Sequence, residues 1–395
     1  MIIASPGLTA RWGANMLNVF FEQTQSIMKR YLILAAVAVL VLGACSKNDV
    51  RNDGTPISFG TYVGLSKATV GPISIDSLKK SADGFGVYCY YTDNGNYVQG
   101  TSTPNFMLNQ KVYNSNYASH SNGAAATWTY SPIKYWPNEY GTGANSDNTD
   151  KLTFRAYAPY STGSTNSISN LPGESTATTT LTYTVSNSDP VDLLWASNAV
   201  SNLTNLTKQT TTGTVNFTFS HALSKISFSH QAVVDAVDPT TSALDAATTI
   251  TLNSVTIDGS TLYKSGVFDF AAGTWASQVA GTASTDDISL TSLNANVTET
   301  LTDLPESFFV IPCTSRSIKI TVNYDVTTTD AAYSAGSVTT NNTIYKTATF
   351  TMAPGTAYQI KLLLGLTSVK INVNEILDWG AGSATEIDLP ENTTA

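Results

Sequence analysis

The amino-acid sequence predicts an all-β protein built from β-sandwiches. Short runs of alternating apolar and polar residues recur along the chain, which is the period of a strand with one buried face. Turn-forming Gly, Pro, Asn and Ser residues bound these runs, and few segments show the 3.6-residue period of a helix. Only 12% of the 395 residues are charged, and Thr, Ser and Asn take their place, as is typical of exported β-proteins.

A lipoprotein signal peptide is predicted at residues 28–44. It starts with Met28 and a basic pair, continues as an apolar run, and ends in Leu42-Gly-Ala-Cys45. The apolar run is about a dozen residues, shorter than the ~20 that a membrane-spanning helix needs. The sequence therefore predicts cleavage between Ala44 and Cys45 and lipidation of Cys45, which would hold the chain on a membrane. An ordinary secretory signal with a chance cysteine and a short anchor are the alternatives.

The segments around this signal predict the start of the folded part. Residues 1–27 match neither a signal nor a domain, so we expect that they result from a gene start assigned too early and that Met28 is the true initiator. Residues 45–55 are polar and predict a solvated tether.

The length of the remaining chain predicts two domains. We expect an N-terminal β-sandwich at 56–205 and a C-terminal one at 206–395, because a Thr-, Asn- and Ser-rich stretch lies around this boundary.

Each predicted strand follows the same alternation, with a change of parity between Leu252 and Val255 that predicts a β-bulge. Short helices are expected at most in Ile75–Lys80 and Val233–Ala247. The predicted strands are Ile57–Val63, Phe85–Tyr91, Leu152–Ala156, Leu181–Val185, Val215–Phe219, Ile226–Phe228, Ile250–Ile257, Val267–Phe270, Phe308–Ile311, Ile318–Tyr324, Ile344–Phe350, Tyr358–Leu364 and Val369–Val373.

Charge and cysteine content limit the classes of partner. The full chain has 20 basic and 29 acidic residues, without the clustered Lys and Arg that phosphate backbones require, so nucleic acid is not an expected partner. Cys89 and Cys313 lie in separate strand-like runs, which favours two free, buried thiols over a disulfide, although the exported setting permits one. Neither has a Cys or His neighbour at metal-ligand spacing, so no metal or cofactor is expected.

Catalytic motifs are missing from the sequence. His221 and His230 flank one strand roughly 30 Å apart and cannot share an ion; hydrogen bonding at the strand ends is the simpler role for both, and His120 stands alone. No nucleophile elbow, zinc-protease motif, phosphate loop or dinucleotide fingerprint is present. The sequence therefore predicts a protein that is not an enzyme.

An aromatic-rich stretch between Asn94 and Asp150 offers the best candidate for ligand contact. Trp128, Tyr135 and Trp136 lie within nine residues of one another. Such rings could bind a glycan, or they could cover the open end of a sandwich, since each buries a large apolar area.

Eight short pieces in order resemble the fimbrillin family of Bacteroidales, the pilins of the type V pilus and their surface relatives. Together they span nearly the whole chain after Cys45. The pieces are Leu42–Cys45, Ile57-Ser-Phe-Gly60, Phe85-Gly-Val-Tyr-Cys-Tyr90, Tyr130-Ser-Pro-Ile-Lys-Tyr-Trp-Pro137, Phe154-Arg-Ala-Tyr-Ala-Pro-Tyr160, Phe219-Ser-His-Ala-Leu-Ser-Lys-Ile226, Gly266-Val-Phe-Asp-Phe270 and Phe309-Val-Ile-Pro312.

The resemblance implies two transthyretin-like β-sandwich domains in tandem and assembly by strand exchange. In that family a protease cuts after the first strand, and a C-terminal segment of another subunit fills the groove that opens. Here the displaced strand would be Ile57–Val63 and the cut would follow Lys67, before Ala68, although the family usually has Arg there. The donor would come from Leu366–Asn374 or Ala384–Leu389, between which the sequence does not choose.

The resulting hypothesis is a structural and adhesive fimbrial subunit or fimbria-associated surface lipoprotein. Its expected partners are other pilin subunits, with room for a host or microbial surface ligand, and its expected place is the outer membrane or cell surface. The alternative is a glycan-binding surface lipoprotein that does not polymerise and uses the three aromatic residues.

Overall fold

The computed structural model describes residues 52–63, 75–93, 95–137, 150–164, 167–196, 198–208, 213–233, 244, 246–332, 334, 336–366, 368–376 and 386–387. Ala44, Cys45, Lys67 and Ala68 lie outside these residues, as does most of Val233–Ala247.

Strands dominate the described residues, as the alternation predicted. Within the described ranges, helical structure consists of α1 (Ile75–Lys80), α2 (Asn198–Ser201) and two 3-10 turns, Tyr117–Ser119 and Gly259–Thr261. The helix α1 has the bounds that the sequence predicted. The first strands are β1 (Asn52–Pro56), β2 (Ser58–Val63), β3 (Phe85–Tyr91), β4 (Met107–Asn114), β5 (Trp128–Thr129), β6 (Tyr135–Pro137), β7 (Leu152–Ala158), β8 (Ile168–Ser169), β9 (Thr180–Thr184), β10 (Leu194–Ala196) and β11 (Thr214–His221). The later strands are β12 (Ser224–Ala232), β13 (Thr248–Ile257), β14 (Tyr263–Asp269), β15 (Thr274–Ala280), β16 (Ile288–Leu290), β17 (Ala295–Val297), β18 (Thr302–Val310), β19 (Cys313–Thr329), β20 (Ser337–Met352), β21 (Ala357–Leu364), β22 (Val369–Ile376) and β23 (Glu386–Ile387).

A seven-stranded sheet forms the first layer, in the order β2-β11-β10-β7-β3-β4-β5. Its central strands β3 and β7 are buried along almost their whole length, because both faces of the sheet are covered. One face holds Phe85, Val87 and Phe154 in an apolar core. The other holds Tyr88 and Tyr157 in a second core.

The remaining strands form smaller sheets. In one, β1 pairs with β6, and another has the order β15-β14-β9-β8. The last two have the orders β18-β12-β21-β22-β23 and β16-β13-β19-β20, with β17 also on β13. A core of apolar residues, most of them aliphatic, from β12, β13, β19, β21 and β22 lies between the last two sheets. The register of β13 against β19 shifts between Leu252 and Ser254, which confirms the predicted bulge.

All-β architecture is thus confirmed, whereas the division into tandem domains at 205/206 stays a prediction. Strand β11 follows that boundary and lies in the sheet of the preceding strands. Strand β14 also pairs with β9 across it. Residues 53–395 group as one compact unit.

Candidate functional site

The first long strand, β2, lies at the edge of the seven-stranded sheet. Its only sheet neighbour among the described residues is β11, and the two run parallel, in register from Ser58 opposite Thr214 to Val63 opposite Phe219. The pairing joins residues more than 150 positions apart, so no tight turn ties the two strands together. Strand β2 is therefore held through one edge and one face.

The buried face of β2 carries Ile57 just before it and Phe59 within it, 2% and 6% exposed. Phe59 stacks on Phe217 of β11 with ring centroids 5.5 Å apart, and it contacts Phe154 edge-on at 6.1 Å. Tyr130 closes over the same ring at 5.3 Å. Burying two such side chains stabilises the fold by about 1.5–3 kcal/mol each.

The segment 130–136 clamps the start of β2 by hydrogen bonds. The Ile57 amide donates to the Lys134 carbonyl at 2.9 Å, and the Tyr130 hydroxyl donates to the Ile57 carbonyl at 2.9 Å. Trp136 donates from Nε1 to the Gly213 carbonyl, just before β11, at 3.0 Å. Burial raises the pKa of Tyr130 to about 12, so its hydroxyl remains a donor well above neutral pH.

Removing β2 would leave a groove with an aromatic floor. Its wall is β11, which would lose its parallel partner, and its floor includes Phe85, Phe154 and Phe217, all fully buried. A strand edge with unpaired N–H and C=O groups beside an apolar trough is the kind of site that an added strand fills. The geometry can thus accept one extended segment with alternate apolar side chains.

The three predicted ligand-binding aromatic residues do not form a common exposed surface. Trp136 is fully buried, so its ring has no free face for a glycan in this conformation, and its ligand contact stays a prediction. Trp128 is partly buried and packs edge-on against Phe85 at 5.1 Å. Only Tyr135 is exposed, at 37%. The cluster covers the apolar core, as the second interpretation of the sequence expected.

The two C-terminal donor candidates differ in how they are held. Strand β22 pairs antiparallel with β21 over eight residues, and its Val369 and Ile371 are 1% and 4% exposed. Within the part of Ala384–Leu389 that the structure describes, β23 pairs with β22 through Glu386 and Ile387, at the edge of the sheet. Val369 and Ile371 therefore tie β22 to the core.

Three of the buried titratable side chains are Cys89, Cys313 and His221. Cys89 and Cys313 are free, buried thiols, and burial raises the pKa of Cys89 well above its usual value. His221 lies 2.8 Å from the buried Asp192 carboxylate through Nδ1, in line with the hydrogen-bonding role expected for it. Within the described residues no group of His, Cys, Asp or Glu is arranged to hold a metal ion, and no helix there is long and apolar enough to cross a membrane.

Sequence reasoning missed Tyr130 and Phe217 as parts of this site. Tyr130 lies in one of the eight family-like pieces and Phe217 in a predicted strand, where the alternation of Val215, Phe217 and Phe219 placed it on a buried face. The pattern could not show that β11 pairs with β2, because parallel pairing between distant strands leaves no local signal in the sequence.

Comparisons with known proteins agree with this fold. A family model described as fimbrillin-like matches residues 74–379. A relative named fimbrium subunit Fim1C, from Phocaeicola vulgatus, is 25% identical over 399 residues, which cover 90% of this chain and 98% of that protein. The crystal structure of a fimbrial protein from Bacteroides vulgatus superposes with a TM-score of 0.62 at 23% identity, over 81% of this chain and 98% of that one.

The sheets, the edge strand and these matches define a protein of the fimbrial and adhesin-like class. Within that class, the chain belongs to the fimbrillin-like family, whose model spans most of its length.

Proposed function

We propose that this chain is a fimbrial subunit that assembles by strand complementation after proteolytic processing. The observation that carries the proposal is the position of β2, an edge strand that fills an aromatic groove with Phe59. The relative named a fimbrium subunit supports the same role. Association with other subunits then follows from replacing this strand with one from a neighbour.

Loss of β2 would change the free energy of the subunit in two ways. The edge of β11 would lose six residues of parallel pairing, and the rings of Phe154 and Phe217 would meet water. Both costs are removed when another strand enters, because it restores backbone hydrogen bonds and covers the trough. The driving force for assembly is therefore the exposed groove itself.

We assign the donor role to residues 384–389. A donor must leave its own sheet without opening its own core, and two described residues of this segment, Glu386 and Ile387, pair with β22. In contrast, withdrawing β22 would expose the buried Val369 and Ile371. In an extended chain Thr385, Ile387 and Leu389 fall on one face and can follow the alternation of Ile57 and Phe59.

Processing is proposed after Lys67, the one basic residue between β2 and α1. A cut there separates β2 from the rest of the chain, whereas a cut at Arg51 would leave the groove filled. Before processing, acyl chains on Cys45 would hold the subunit at the outer membrane or cell surface. A chain that is never cut would remain an anchored surface lipoprotein.

Polymerisation after limited proteolysis tests this proposal. Purified protein from residue 45 onward is treated with a lysine-specific protease and run on a denaturing gel without boiling. The expected result is a ladder of oligomers that collapses on boiling, and its absence in Lys67→Gln. A cut subunit that stays monomeric would overturn the proposal.

A synthetic peptide provides the matched control. A peptide of residues 57–63, added in excess during the cut, refills the groove and should suppress the ladder. The same peptide with Phe59→Asp should not, because a carboxylate cannot enter the aromatic trough without losing its hydration.

A further inference from the structure

Strand β20 is an edge strand of unusual length. It has 16 residues, and its only sheet neighbour among the described residues is β19. Strands in globular proteins usually have about 3–10 residues. At roughly 3.3 Å per residue, β20 presents roughly 50 Å of sheet edge.

The devices that usually protect such an edge are sparse on β20. The strand has no proline, and its single charged residue is Lys346. Its register with β19 runs without a shift from Arg316 opposite Phe350 to Thr329 opposite Ser337, and the register shift between Cys313 and Arg316 lies at the far end of the pair. An edge of this kind is a template for pairing with another chain.

Exposed apolar side chains on β20 favour contact with another strand over exposure to water. Tyr345 is 65% exposed and Val338 is 46% exposed, both large apolar or aromatic groups. The strand is also held rigid by side-chain bonds to β19, including Asn323 to Thr343 at 2.8 Å and a 2.9 Å contact between the Thr327 and Thr339 hydroxyls. A preformed edge loses little conformational entropy when it binds.

Charge points to a second copy of this chain as the partner. The whole chain has a formal net charge of −9, which opposes self-association. Residues 313–352, the β19–β20 hairpin, contain Arg316, Lys319 and Lys346 against Asp325 and Asp330. With three basic and two acidic residues, the hairpin lies outside the acidic excess by which two copies repel each other.

We propose that β20 pairs antiparallel with β20 of a second copy, with the two-fold axis at Tyr345. In this register the two Tyr345 rings face each other, and each Lys346 lies opposite Ile344 of the other copy. Thr343 lies opposite Thr347, a favourable hydroxyl pair. A register centred on Lys346 would instead oppose two ammonium groups, which is unfavourable.

This contact is side by side and does not use the β2 groove. It would join subunits of neighbouring fibres, where many weak contacts act together because each fibre presents the edge repeatedly. The contact is therefore independent of strand complementation, and either can fail without the other.

Cysteine crosslinking of the uncut chain tests the register. Opposite residues in antiparallel strands have Cβ atoms about 4.5–5.5 Å apart, close to disulfide distance. Tyr345→Cys should form a covalent dimer under mild oxidation. Thr343→Cys and Thr347→Cys should crosslink when mixed and not singly, because identical positions there lie roughly 13 Å apart. Thr321→Cys, opposite Tyr345 on β19, is the control that should not crosslink.

Charge substitutions make the same test without cysteine. Thr343→Lys with Thr347→Lys opposes like charges in the proposed register and should weaken the dimer about tenfold in sedimentation. Thr343→Lys with Thr347→Glu opposes unlike charges and should restore it. The proposal would be overturned if all cysteine positions crosslinked equally or if no dimer formed. It would also be overturned if the two double variants dimerised equally well.

Discussion

The ring of Phe59 in the first edge strand stacks on the ring of Phe217, with centroids 5.5 Å apart and planes 27° apart. One side of this contact belongs to a strand that we propose is removed, and the other to the groove that remains. The same contact that stabilises the unprocessed subunit thus defines what an incoming strand must replace.

Replacing Phe59 should destabilise the unprocessed subunit and leave the processed one unchanged. Phe59→Ala removes a ring that is only 6% exposed, and such changes cost roughly 3–5 kcal/mol. Urea unfolding measures the difference, with Val98→Ala, at a 55% exposed site, as a control expected to stay within about 0.5 kcal/mol. An equal loss of stability in the processed subunit would contradict removal of β2.

The hydroxyl of Tyr130 should make the clamp on β2 sensitive to alkaline pH. Because burial raises the pKa of Tyr130 from 10.0 to about 12, its stabilising effect is complete below pH 10 and is lost as pH rises through 12. Tyr130→Phe should be less stable by about 1 kcal/mol at pH 7. The gap to the natural chain should narrow above pH 10 in urea unfolding, and a constant gap would contradict the donor role.

Trp136 should matter for folding and Tyr135 should not. Trp136→Ala removes a fully buried ring and its bond to Gly213, so the free energy of unfolding should fall by roughly 3–5 kcal/mol. Tyr135→Ala, at an exposed neighbour, should change it by about 0.5 kcal/mol or less. Polysaccharide retardation that depends on Trp136 in a fully folded variant would contradict this assignment.

The thiols of Cys89 and Cys313 should be unreactive until the chain unfolds. Both are buried, and burial raises the pKa of each, which disfavours the reactive thiolate. A chromogenic disulfide reagent should therefore react with neither in the native protein and with both in denaturant. Rapid reaction of the native protein would place one of them at the surface.

Two truncations should separate the donor candidates. Removing residues 384–395 should end laddering while urea stability stays nearly unchanged, because the described part of this segment pairs with β22 through two residues. Removing residues 366–395 also takes Val369 and Ile371 from the core, at a cost of roughly 3–6 kcal/mol. If the chain that lacks residues 384–395 still forms the ladder, the donor role would shift to β22.

The sequence predicted where strands lie better than it predicted which faces of each strand are buried. Alternation correctly placed Phe85, Val87 and Phe154 on one buried side. It left Tyr88 and Tyr90 unassigned, although the continuous run Phe85–Tyr91 has the composition of a strand buried on both faces. The covering sheet consists of distant strands, so a local period cannot reveal it.

The sequence also could not predict which strands pair with each other. The bulge near Leu252 was predictable because the apolar positions change parity within the sequence of that one strand. The parallel pairing of β2 with β11 and the pairing of β9 with β14 depend on the packing of the whole chain. The long free edge of β20 likewise could be identified only from the sheet order, in which β19 lies on one side of it.

The N-terminus of the protein in assembled fibres tests the central claim most directly. Mass spectrometry of fibres sheared from intact cells should find peptides that begin at Ala68 and none from Ile57–Val63. Fibres whose subunits retain Ile57–Val63, or begin at an acylated Cys45 in every copy, would contradict displacement of the first strand.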